Sequence, residues 1–164
     1  MPKSKPTQTP SDIVFEPAFV AGVTAIFEEK IVFNRLLGLK ILTLEASRVT
    51  ARIDMRPDLV GHYSYNRIHG GVISACLDTL GGLAVMAAIG ARHMDELPQA
   101  RLQRFLKLST IDLRVDYLRP GTGDFFKMHA EVMRLGSRVA STRMEFLGAD
   151  GKLLSTGAGA YMIA

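Results

Sequence analysis

The sequence predicts an α+β fold in which an antiparallel sheet of about six strands curls around one long apolar helix. Three observations carry this. From Gly70 to Ala91, twenty-two residues hold a single charge, Asp78. From Thr110 onward the chain breaks into four β-like runs, "TIDLRVDYL", "DFFKMHAEVMRL", "RVASTRMEFL" and "KLLSTGAGAYMIA", separated by the turn signals "RPGTG", "GS" and "GADG". Upstream, "LKILTLEASRVTARIDM" divides at Ala46-Ser47 into two more such runs. Links this short join antiparallel neighbours.

The elements follow in chain order. The tail "MPKSKPTQTP", within residues 1–11, is Pro-rich and polar and is expected to be disordered. Asp12 to Ile31 has apolar residues at helical spacing and ends in Glu28, Glu29 and Lys30, so it reads as an amphipathic first helix. The hairpin comes next, then a polar loop from Arg56 to Ile68 leading into the central helix. That helix is long enough to span a bilayer, but Asp78 at its middle and the pairs Gly70-Gly71 and Gly81-Gly82 argue for a helix buried in protein. Residues 92–108 mix charge with apolar spacing, and a second, partly exposed helix is expected after Pro98. The four strands complete one domain spanning 12–164.

Composition sets limits on function. The chain has 164 residues, 20 Lys and Arg against 16 Asp and Glu, and a formal charge of +4. Lys3 and Lys5 lie in the tail, so the body carries about +2, too little to imply nucleic acid. Cys76 is the one cysteine, which excludes an internal disulfide and a cysteine-based metal site and suits a reducing compartment. No apolar signal core follows the N-terminal lysines, so nothing directs export.

Asp78 is the residue that demands a reason. Placing a carboxylate in an apolar run without partners costs several kcal/mol. Gly70 and Gly71 stand where the helix begins, and first-turn N–H groups there have no intrahelical acceptor and carry the positive end of the helix dipole. Glycine leaves that backbone open to an approaching carbonyl oxygen. A carboxylate and an oxyanion site on one helix suit acyl transfer to water. Their separation is a constraint: Gly71 and Asp78 are seven residues apart, about 10 Å along a helix, too far to serve one carbonyl carbon.

The "HGG" that opens the helix, an Asp nine residues after the His, "FNRLLGLKI", "GHYSYNRIHGGVISACLDTLGGL" and "TIDLRVDYLRPG" together resemble the hotdog-fold acyl-CoA thioesterases of the PaaI-like group. The likeness is greatest to the bacterial YigI-type medium- and long-chain enzymes and covers nearly the whole chain beyond the tail. The resemblance implies hydrolysis of acyl-CoA without metal or cofactor, CoA being part of the substrate, in a cytoplasmic homodimer or homotetramer. It assigns the polarising N–H to Gly71 and makes Asp78 the general base or the nucleophile, set opposite Gly71 of a second chain across a twofold axis. Thr110 falls where relatives place a Ser or Thr near the catalytic carboxylate.

His69 is expected to bond backbone and fix the helix start, the alternative being a base. Many PaaI-like relatives carry Asn six residues before this His, where this chain has Tyr63; Asn66 and His62 are the candidates to replace it. Arg119, Arg138 and Arg134 are candidates for the CoA phosphates. Two rival readings use the same residues. A hotdog enoyl-CoA hydratase or dehydratase would pair His62 or His69 with a carboxylate, and a non-catalytic acyl-CoA-binding module would leave Asp78 structural.

Overall fold

Pro17 opens the first helix because its fixed φ suits the first turn and its missing N–H would have no acceptor there; Glu16 before it is extended, at φ −64° and ψ 146°. The computed structural model describes residues 13–164, so the expected tail and Asp12 lie outside the described residues. Helix α1 (Pro17–Thr24) continues into a π-helical turn, Ala25–Lys30. The single helix expected over Asp12–Ile31 therefore starts later and changes its hydrogen bonding before it ends. Ile31 is extended, and a second short helix follows, α2 (Val32–Leu37), closed by Gly38 at φ 73°.

The hairpin is β1 (Lys40–Leu44) and β2 (Val49–Asp54). The expected loop from Arg56 to Ile68 is more ordered than a loop. It carries a 3-10 turn at Pro57–Leu59, then β3 (Val60–His62), a second 3-10 turn at Tyr63–Tyr65, and β4 (Arg67–Ile68), with β3 and β4 paired antiparallel. Helix α3 (Gly70–Arg92) is the central helix. Helix α4 (Pro98–Gln103) runs into a 3-10 turn, Arg104–Lys107. The remaining strands are β5 (Ser109–Tyr117), β6 (Phe125–Leu135), β7 (Val139–Gly148) and β8 (Leu153–Met162).

These form a six-stranded antiparallel sheet in the order β1-β2-β6-β7-β8-β5. Period-two alternation puts Val49, Ala51 and Ile53 of β2, Phe126, Met128 and Ala130 of β6, and Met144 and Phe146 of β7 on the concave face. Leu77, Leu80, Leu83, Met86 and Ala87 of α3 pack into that face. The architecture is the hotdog fold. Helix α3 is long and apolar enough to cross a membrane by length and composition, yet most of its side chains are sealed inside the sheet. Cys76 lies on this inner side, fully buried, and burial pushes its thiol up to about 12.

Arg101 of α4 is the one charged side chain wholly buried among the described residues. It ion-pairs with Glu16 at the foot of α1, donates to the Gly90 carbonyl of α3, and lies 4.6 Å over the Phe19 ring. Three helices are thus tied at one point.

Candidate active site

Asp78 is not sealed in the core. The N-terminal half of α3 keeps one side partly open, and Asp78 is half-buried on it, facing a cavity of about 240 Å³. The cavity lies between α3, the π turn, the turn after α4, and the start of β5. Thr110 donates its hydroxyl to Asp78 Oδ1 at 2.8 Å. A bulge in β5 between Thr110 and Asp112 interrupts the regular register with β8 and leaves Thr110 directly across from Tyr161.

Tyr161 grips the same residue from the other side. Its hydroxyl donates to the Asp78 main-chain oxygen at 3.0 Å, a second bond on a carbonyl that has two lone pairs. Burial above all, and then the nearby Asp78 charge, push this phenol well up from its ordinary value, so it stays a donor. The ring can stand there because Gly81 has no side chain: a Cβ would come within 2.0 Å of the Tyr161 oxygen. A cross-strand pair therefore holds Asp78 by both its carboxylate and its backbone. Sequence reasoning found Thr110 and missed Tyr161, for which the small residues of "GAGAY" opposite Gly81 were the available signal.

At the helix start, His69 is the N-cap. Its Nδ1 accepts the Gly71 N–H at 2.8 Å, which leaves the ring proton on Nε2. The expected open donor at Gly71 is therefore engaged within its own chain, since a cap side chain reaches the second N–H of the first turn. No acceptor takes the Gly70 N–H among the described residues. Gly70 lines a cleft of about 360 Å³ with Arg67 and Arg119. Tyr117 holds the far side of that glycine, donating to the Gly70 carbonyl at 3.0 Å.

The other candidates separate into two groups. Arg119 borders the Gly70 cleft and donates to the Leu153 carbonyl at 2.9 Å. His62 ends β3 and Asn66 belongs to the exposed excursion that follows it, where Asn66 takes φ 46° and the His62 ring sits 4.9 Å from that of Tyr65. Arg134 and Arg138 share a different hollow, at the turn between β6 and β7. Arg92, at the C-terminal end of α3, donates to the Leu135 and Gly136 carbonyls of that turn, so Arg138 stands at the opposite end of the helix from Gly70. Within one chain the structure does not bring Arg138 to Arg119.

Two features concern what lies beyond one chain. Strand β5 pairs with β8 along one edge and has no partner on the other among the described residues. Ile111 and Tyr117 are more than half exposed along it, and Leu118 just past its end is half exposed. A nine-residue open edge with apolar side chains is a surface that natural sheets normally cover.

A family model of the Thioesterase superfamily matches residues 65–155, the stretch that holds Gly70, Asp78 and Thr110. The medium/long-chain acyl-CoA thioesterase YigI of Salmonella typhimurium is 35% identical over 131 residues, 80% of this chain and 84% of that protein. Its Escherichia coli K12 counterpart of the same name is 34% identical over the same shares. A crystal structure from Shewanella oneidensis, described as related to the thioesterase superfamily, superposes with a TM-score of 0.84 at 37% identity, covering 92% of this chain and 100% of that one.

Proposed function

The chain belongs to the thioesterase superfamily, and from that premise we propose that it hydrolyses acyl-CoA to the free acid and CoA at a site carried by Asp78. The observation behind the assignment of Asp78 is its setting: an aspartate held by Thr110 at the mouth of a mostly apolar cavity. Either Asp78 takes a proton from a water whose oxygen attacks the thioester carbonyl, or its own oxygen attacks and water then cleaves the acyl anhydride. In both routes the C–S bond breaks as the tetrahedral oxyanion collapses and the electron pair leaves on sulfur. Thiols have pKa values of about 8.5, so the thiolate departs without a dedicated acid. The reaction needs no metal or cofactor.

The oxyanion needs a donor, and the free first-turn N–H is that of Gly70 rather than Gly71. Gly70 and Asp78 are eight residues apart, about 12 Å along the helix, so one chain cannot place both on one carbonyl. Two copies joined through the open β5 edges, with their α3 helices antiparallel, would set Asp78 of each against Gly70 of the other. Arg119 and Arg67 beside Gly70 suit the phosphates of CoA. A medium or long acyl chain fits both the apolar cavity and the names of the relatives.

Release of free thiol from acyl-CoAs of graded length is the direct test. Steady thiol production is expected; loss of enoyl absorbance without thiol would turn the reading to a hydratase, and tight binding with neither would make the protein an acyl-CoA-binding module.

The cross-subunit arrangement makes a separate prediction. Asp78→Asn and Gly70→Pro, the latter removing the N–H where proline is tolerated, should each be inactive alone. Refolded together, about half the dimers are mixed, and each mixed dimer has one site free of both lesions, so about a quarter of wild-type activity should return. No recovery in mixed dimers confirmed by differently sized tags would refute a site shared between chains.

A further inference from the structure

Three glycines interrupt the interior of α3, where each weakens the helix relative to alanine. Two have evident reasons. A Cβ on Gly81 would stand 2.0 Å from the Tyr161 oxygen, and one on Gly90 would stand 2.4 Å from the Phe19 ring. Gly82 is different. A Cβ there would meet only Leu108 Cδ2 at 3.7 Å and Tyr161 Cε1 at 4.0 Å, both ordinary van der Waals contacts. The fold has room for a methyl group and the sequence leaves it out.

The vacant space opens into the cavity that holds Asp78. Gly82 lies on the same side of α3 one turn further along, about 6 Å beyond Asp78. Phe27, Ile31, Phe105 and Leu108 form the surrounding wall. Two polar groups on that wall are turned on one another, Thr79 donating to Asn34 Oδ1 at 2.9 Å and Asn34 donating to the Phe27 carbonyl at 3.0 Å, while Ser109 stands beside Thr110 at the polar end. An unbranched alkyl chain asks for such a surface, which offers polar chemistry at Asp78 and Thr110 and little beyond it.

We propose that Gly82 is a specificity-determining residue, its missing side chain setting the depth of an acyl pocket formed between α3, the π turn and the turn after α4. The proposal rests on the thioesterase reading and adds to it which residue limits chain length. Butyryl groups end before Gly82, whereas decanoyl and longer groups pass over it. A methyl at 82 takes space from long chains only.

The test is kcat/KM for butyryl-, octanoyl-, decanoyl- and dodecanoyl-CoA with the wild type, Gly82→Ala, and Gly82→Ala combined with Leu108→Ala. Gly82→Ala should melt at or slightly above the wild-type temperature while its dodecanoyl-to-butyryl ratio falls about tenfold or more, the usual worth of one methylene's space in an apolar pocket. Cutting back Leu108, the nearest side chain, should restore most of that ratio. An unchanged ratio, or an equal loss at every length, overturns the proposal. If the wild type hydrolyses none of these thioesters, the thioesterase reading is what fails, and the pocket is judged by calorimetric binding of dodecanoate. Binding at least tenfold weaker in Gly82→Ala sustains it, and equal or absent binding in both proteins overturns it.

Discussion

Asp78→Asn is expected to lower kcat by at least about 100-fold, about 2.7 kcal/mol of activation free energy, while the protein remains folded. The geometry explains why the two effects separate. Asparagine keeps an oxygen for the Thr110 hydroxyl to donate to, and the Tyr161 hydroxyl bonds the main chain at this position, indifferent to the side chain. What the substitution removes is the negative charge that would accept a proton from water or attack the carbonyl. Thiol release measured beside a thermal melt decides the matter: near-normal turnover in a folded variant would end the assignment of Asp78 as the reacting group.

Arg101→Ala is expected to cost about 3 kcal/mol of stability, read as a lower urea midpoint at an unchanged slope. The side chain is wholly buried, and truncating it empties the space over Phe19 and unties α1 from α3 and α4. Its ionic partner limits the loss, because Glu16 is partly exposed and regains water when the guanidinium goes. Arg101→Met, which fills the space without a charge, should recover much of the difference, helped by removal of an Nε–H that finds no acceptor.

The pair also has an acid signature. The Arg101 hydrogen bond holds the Glu16 carboxyl below its ordinary value of 4.5. A depressed carboxylate stabilises the fold above its unfolded value, and that contribution is lost as pH falls through the lowered folded value. The wild type should therefore lose stability below about pH 4.5 in a way that Arg101→Met does not. Parallel acid dependences would show that the two groups do not act as a pair.

The central helix was legible because an almost uncharged apolar run marks it, and the sheet because β-like runs between Gly-rich turns mark its strands. The N-terminal region was not. The helix expected over Asp12–Ile31 ends where Ile31 turns extended, but no pattern announced the short helix Val32–Leu37 that follows, so it went unread. Nor does the exposure of Val32, Phe33 and Leu36 on α2 follow from their apolar character. Within the site, "HGG" marks the helix start, but which N–H remains open depends on where the His69 ring points. A local pattern cannot state that. Tyr161 was hidden for a related reason: a tyrosine near the end of a strand is unremarkable until Gly81, eighty residues earlier, is seen to leave it space.

Every turnover of a thioesterase liberates a thiol, and thiols oxidise to disulfides that exchange with exposed cysteines. Cys76 lies two residues before Asp78 on the same helix but on its inner, fully buried side, where such an adduct would split the core. Burial pushes its thiol up to about 12, and exchange proceeds through the thiolate, the form that burial disfavours. The depth of α3 in the sheet thus gives the protein chemical immunity to the oxidised form of its own product, without any cysteine having to be absent from the sequence.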